Sequence, residues 1–245
     1  MFLTQFPICV TRRQSKRILA SPYRMHALVA GCFPSEGSTG EEGRILWRVD
    51  TGQDGSRTLY IVSPRKPSLV GLDEQIGWPD LEPQWKTRSY DQFLKRIENG
   101  QRYAFRLAAN PVVDRATMKD ERRRSNRLGY VSALQESAWL VGAVAYDQAG
   151  VNPPEFIVSQ DSSRALRNGF RVCSDETAGL QLVVSGREKK SFRQGAKGRT
   201  ITIACVQYDG VMEVIDADRL VHALCFGIGH GKAFGCGLMT VVPIR

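Results

Sequence analysis

Apolar positions recur along this chain in two rhythms, a short alternation typical of strands and a spacing near 3.6 typical of helices, and the two take turns. Phe2–Val10 reads as a strand, followed by a basic loop at Arg12–Arg17. Ser21-Pro22 forms an N-cap with proline at the first helical position, opening a helix to about Gly31. Ile45–Val49 and Thr58–Ser63 read as paired strands around a Gly/Asp-rich turn. Pro- and Trp-rich sequence from Pro64 to about Lys86 reads as loop. A helix follows at Tyr90–Glu98, closed by Asn99-Gly100, and then a strand at Arg102–Ala108.

The second half repeats this order. A polar, basic loop at Met118–Arg127 leads into a helix at Leu134–Asp147. Strands are expected at Glu155–Ser159, Gly169–Cys173, Leu180–Ser185, Lys189–Gln194 and Thr200–Tyr208. The last two bracket Gly195-Ala196-Lys197-Gly198 as a hairpin. A helix at Ala217–Phe226 and a strand at Leu238–Pro243 close the chain. Each half therefore reads β-α-β-β-α-β, the ferredoxin-like unit, and the length suits two of them. The expected class is α+β with tandem ferredoxin-like (RRM-like) domains at 1–99 and 100–245, the second with an inserted basic β-hairpin. Arg102–Ala108 could close the first unit or open the second.

Between the last helix and the last strand lies Gly227–Gly237, GIGHGKAFGCG, five glycines in eleven residues with His230 and Lys232 among them. Such a loop lets a bulky partner approach the backbone, and a lysine within it can meet a phosphate. Its spacing is not that of a P-loop, and it lacks the strand-then-helix setting of a dinucleotide fingerprint. A polyanion site and a plain flexible turn both fit it. On the helix after Ser21, Met25, Leu28, Val29 and Cys32 form one apolar stripe, while Tyr23 and His26 fall together on the other side. His26 is one of three histidines, and it can accept or donate a proton near neutral pH. A Tyr–His pair without a role is the plainer alternative.

Charge narrows the choice. Over 245 residues, 34 Lys and Arg oppose 25 Asp and Glu, a net +9, which suggests an acidic partner such as nucleic acid or simply a basic surface. Residues 187–199 carry six basic side chains (Arg187, Lys189, Lys190, Arg193, Lys197, Arg199) against Glu188 alone. Segment 119–127 adds Lys119, Arg122, Arg123, Arg124 and Arg127, offset by Asp120 and Glu121. Each run is either a nucleic-acid contact or a solvated face. Six cysteines form no CxxC or Cys/His cluster, so they read as reduced, buried thiols without structural zinc. No signal sequence or membrane-length apolar run is evident, which reads as a cytoplasmic protein without membrane association. Acidic residues are scattered, with no cluster to hold Mg²⁺, so neither metal nor other cofactor is expected. RNA cleavage needs neither, because the 2′-hydroxyl is a built-in nucleophile served by a base, an acid and cations.

Four landmarks carry a family resemblance: Tyr23-Arg24-Met25-His26 with Leu28 and Phe33-Pro34, the strand Phe105-Arg106-Leu107-Ala108-Ala109-Asn110-Pro111, the loop Gly227–Gly237, and the closing strand. In order and spacing the chain resembles the CasE family, the CRISPR repeat-processing endoribonucleases of Cascade (type I-E) systems. The resemblance implies two ferredoxin-like domains gripping a repeat RNA stem-loop, cut at its 3′ base without metal to leave a 2′,3′-cyclic phosphate or 3′-phosphate. It implies a protein that is monomeric when free and joins other Cascade subunits with its product. His26 would take the acid/base role with Tyr23 assisting. Arg24, Gly229, His230 and Lys232 would meet RNA, and the hairpin residues Lys189, Lys190, Arg193, Lys197 and Arg199 would approach the stem. Two departures stand out: Arg122-Arg123-Arg124-Ser125-Asn126-Arg127 replaces a common Gly-Lys-Arg, and His230 replaces a common proline, making it a second candidate for catalysis. A catalytically inactive hairpin-binding subunit of the same fold is the rival reading, and a small-molecule enzyme of this fold a weaker one.

Overall fold

The computed structural model describes residues 1–33, 42–79, 81–82, 84–115, 126–129, 132–142, 163–175, 179–194 and 198–244. Its first half runs β1 (Phe2–Ile8), α1 (Arg13–Leu19), α2 (Pro22–Ala30), β2 (Leu46–Thr51), β3 (Arg57–Ser63), α3 (Val70–Ile76), β4 (Lys86–Ser89) and α4 (Asp91–Leu94). The strands form an antiparallel sheet in the order β2-β3-β1-β4, the ferredoxin-like order with β2 at one edge. Phe6, Ile8, Leu59 and Ile61 point from one face into a core with Ile18 of α1, Met25 and Val29 of α2, and Leu72 and Ile76 of α3. From the opposite face, Leu46 and Val62 join the core of the second half.

The second half runs β5 (Arg102–Ala109), β6 (Val112–Arg115), β7 (Asn126–Gly129), α5 (Ala133–Val141), α6 (Arg164–Arg167), β8 (Phe170–Val172), β9 (Ser174–Asp175), β10 (Gly179–Leu180), β11 (Leu182–Arg193), β12 (Thr200–Val214), α7 (Ala217–Phe226) and β13 (Met239–Pro243). The main sheet is ordered β11-β12-β5-β13, again the ferredoxin-like order, with β8 added along the lower part of β12. Arg102–Ala109 is thus the first strand of the second sheet. Register aligns Leu107, Tyr208 and Met239 on one face, all fully buried against Trp139 of α5 and Leu220 and Leu224 of α7. It aligns Arg106, Asp209 and Thr240 on the other, which turns toward the first half.

Several expected elements differ. The basic segment after β1 is helical, because Ile18 and Ser15 find a buried face, and Arg12 donates to the Gly77 and Glu74 carbonyls at the end of α3. The Pro/Trp-rich stretch holds α3, whose Leu72 and Ile76 lie one turn apart, and the edge strand β4. The helix expected over Tyr90–Glu98 is regular only over Asp91–Leu94. The strands expected at Leu180–Ser185 and Lys189–Gln194 are one, β11, with a register shift between Ser185 and Glu188 where Gly186 takes φ 60°. The expected strand Glu155–Ser159, most of the loop Met118–Arg127 and the end of the helix to Asp147 lie outside the described residues. Among the described residues no helix is long and apolar enough to cross a membrane.

Candidate functional site

Helix α2 is placed by its own sequence. The Ser21 side chain accepts from the Arg24 N–H at 3.4 Å, Pro22 sets the first turn, and Met25, Val29 and the following Cys32 are buried. That leaves Tyr23 and His26 half-buried and Arg24 exposed on the side facing the second half. Burial lowers the pKa of His26 below the ordinary histidine value of 6.5, so its imidazole is neutral at physiological pH.

The glycine loop folds back across this helix. Lys232–Phe234 form a single 3-10 turn between Gly231 and Gly235, both left-handed with φ 77° and 86°. The Phe234 ring meets His26 edge-on at 6.0 Å and the Phe192 ring of β11 at 5.0 Å. Three rings thus join α2, the loop and the hairpin, with Tyr23, Ile201, Ile203, Cys205 and Cys236 completing a small apolar patch. Lys232 is half-buried, and burial together with the nearby Arg44 charge lowers its pKa. Two cations side by side disfavour each other and favour a shared anion.

The loop's glycines mostly serve packing. Gly229 has φ 80°, and a Cβ there would come 2.9 Å from the Trp139 ring, so its role is to let α5 close on the loop. His230 forms a backbone bridge with Asn110 just beyond β5. The third histidine, His222, stacks on Phe226 of α7.

The hairpin has two unlike faces. Glu188, Lys190 and Phe192 stand opposite Cys205, Ile203 and Ile201 on the inner face, turned toward α2. There Lys190 is paired with Glu188 at 3.0 Å. Lys189, Ser191 and Arg193 stand opposite Ala204, Thr202 and Thr200 and are exposed. Arg199 is exposed at the start of the returning strand, and Lys197 lies outside the described residues. Arg187, within the bulge, donates two bonds of 2.7 and 2.8 Å to the buried Glu136 carboxylate, so its charge ties the hairpin to α5. Between hairpin and helices runs a groove of about 620 Å³ lined by Arg17, Ser21, Tyr23, Arg24, Ser191, Phe192 and Arg193, with no carboxylate among its lining residues.

The structure therefore brings Tyr23, Arg24, His26, Lys232 and Arg193 to one junction. It turns Lys190 onto the other hairpin face from Lys189 and Arg193, and gives Gly229 a packing partner. Sequence reasoning missed Arg17 and Arg44: the first lay in a presumed loop, and the second has no periodic context. Among the described residues no three His, Cys, Asp or Glu side chains gather as a metal site, and all six cysteines are free thiols.

These features define an α+β protein of two ferredoxin-like sheets with a histidine helix and a cationic loop at their junction. The family model described as "CRISPR associated protein" matches residues 1–243, and the chain belongs to that family. A curated relative, the CRISPR-associated endoribonuclease Cse3 of Thermus thermophilus, is 26% identical over 249 residues, covering 99% of this chain and 100% of that protein. The CRISPR system Cascade subunit CasE of Escherichia coli is 26% identical over 148 residues, 57% of each chain. A solved CRISPR endoribonuclease Cse3 bound to a 19-nucleotide RNA shares the fold with a TM-score of 0.70 at 24% identity, covering 99% of this chain and 100% of that one. The resemblance to the CasE family is borne out by these matches.

Proposed function

We propose that this protein is a metal-independent endoribonuclease that cuts the stem-loops of CRISPR repeat RNA and stays with the product as a Cascade subunit. The carrying observation is the ring contact His26–Phe234–Phe192, which joins a neutral imidazole, a lysine-bearing loop and a basic hairpin in one place. Family membership and the relatives named as an endoribonuclease and a Cascade subunit support the same reading.

In this mechanism the neutral His26 accepts the proton of the 2′-hydroxyl, and the 2′-oxygen attacks the adjacent phosphorus. The bond to the 5′-oxygen breaks, that oxygen takes a proton from solvent water, His26 returns its own proton to solvent, and a 2′,3′-cyclic phosphate remains. Lys232 and Arg44 balance the charge that develops on the phosphate oxygens. Tyr23 and Arg24 line the groove that holds the strand, and Lys189, Arg193 and Arg199 lie along the stem. We further assign residues 1–99 to the catalytic domain and 100–245 to the domain of hairpin and glycine loop, and a cytoplasmic setting, where its RNA is made.

His26→Ala tests the reading in EDTA with a repeat hairpin. The variant is expected to bind RNA as the wild type does and to cleave at least about 100-fold more slowly. Unchanged cleavage would remove His26 from the chemistry, and a wild type that binds tightly yet never cuts would make the protein a binding subunit.

A further inference from the structure

Three consecutive residues of β2 engage the glycine loop and the residue that follows it. A Cβ on Gly227 would come 2.9 Å from Leu46, and one on Gly235 would come 2.8 Å from the Trp47 ring. The third residue, Arg48, donates at 3.0 Å to the carbonyl of Leu238, directly after the loop. Strand side chains alternate, so Leu46 and Arg48 leave one face of this edge strand and Trp47 the other. The loop is therefore held around the edge rather than laid on one side.

Arg48 is the polar member of this grip. It is 3% exposed, and its guanidinium also reaches the Arg106 carbonyl at 2.9 Å and Thr240 Oγ1 at 2.9 Å, all in the second half. Within its own strand it is oriented by Asp50, at 2.5 and 3.0 Å. Asp50 in turn meets Arg106 at 3.4 Å, and Arg106 meets Asp209 at 2.6 Å. No ammonium group can make this fork of contacts, because three acceptors on two strands and one carboxylate are served by a planar group in a fixed geometry.

We infer that Arg48 is a positioning residue for cleavage: it fixes the glycine loop, and with it Lys232, against the helix that carries His26. The inference rests on the endoribonuclease reading above. Arg48 acts through Lys232, so its loss and the loss of Lys232 remove the same contribution. A residue that only stabilised the fold would weaken binding, rate and thermal stability together, and its effect would add to that of Lys232.

The test is a double-mutant cycle of Arg48→Lys and Lys232→Ala, read by single-turnover cleavage of the repeat hairpin and by RNA affinity. Arg48→Lys is expected to slow cleavage about tenfold or more with affinity within about twofold, and the double variant to be no slower than Lys232→Ala alone. Thr240→Val, which removes one acceptor from a half-buried position, is expected to show the same rate-specific loss in smaller measure. Multiplying losses in the cycle would overturn the inference, as would a wild-type rate in Arg48→Lys. If Arg48→Lys does not fold, an unchanged rate in Thr240→Val overturns it, and a rate-specific loss supports it. A wild type that does not cleave overturns the parent reading and this one with it, whereas an inactive His26→Ala beside a fully active Arg48→Lys overturns this one alone.

Discussion

His26 owes its chemical readiness to a ring and a helix rather than to a charged neighbour. Desolvation is the cause of its lowered pKa, so the neutral, proton-accepting form prevails at neutral pH. A base works only when unprotonated. Single-turnover cleavage should therefore rise with pH through the acid range, with its midpoint below the ordinary histidine value, and stay flat from about pH 7 to about pH 8. A rate that falls across that upper interval would give His26 the acid role instead. The helix carrying this residue was legible because its signals are local: a serine cap, a proline at the first turn, and one apolar stripe. The partners of His26 were not. Phe234 lies more than two hundred positions away, and nothing in its glycine-rich surroundings marks which ring it will meet.

At the level of elements, the hairpin shows how a sequence can hide a single strand as two. Alternation along β11 changes phase at the bulge, where two residues oppose one, so each side of Gly186 reads as its own strand. The same phase decides which lysines face outward. Lys189 and Arg193 share the exposed face, while Lys190 turns inward to Glu188. Replacing Lys189 and Arg193 together by alanine should weaken hairpin RNA binding and lower its salt slope by roughly one unit per lost phosphate contact. Lys190→Ala should leave that slope nearly unchanged. Equal slopes for the two variants would mean that RNA does not lie along the outer face. Helices α1 and α3 escaped sequence reading for a related reason, since each is only seven residues long and declares its buried side through two residues.

For the molecule as a whole, the two halves share both apolar and ionic ground. Leu46, Val62 and Tyr90 lie in the same core as Phe105, Tyr208 and Leu224, and Arg48 is buried across the junction. Urea unfolding is expected to be one transition, with tryptophan fluorescence (Trp47, Trp78 and Trp85 in the first half, Trp139 in the second) coincident with far-UV circular dichroism. Asp50→Ala, which strips the buried Arg48 of its carboxylate, should lower that single transition by about 3–5 kcal/mol. Two separated transitions would show the halves to be independent. The repeated ferredoxin-like order was readable from element succession, but the ionic junction was not, because its members sit on four strands drawn from both ends of the chain.

The wrap of the glycine loop around β2 has a colloidal consequence as well. An uncovered edge strand is a template on which a second polypeptide can add its own strand. Here Leu46 and Trp47 meet the loop from both faces of that edge and Arg48 holds the residue after it, so the loop is expected to hinder a second strand from adding there. Mutations that loosen it would be expected to cost activity and to promote oligomers at the same time.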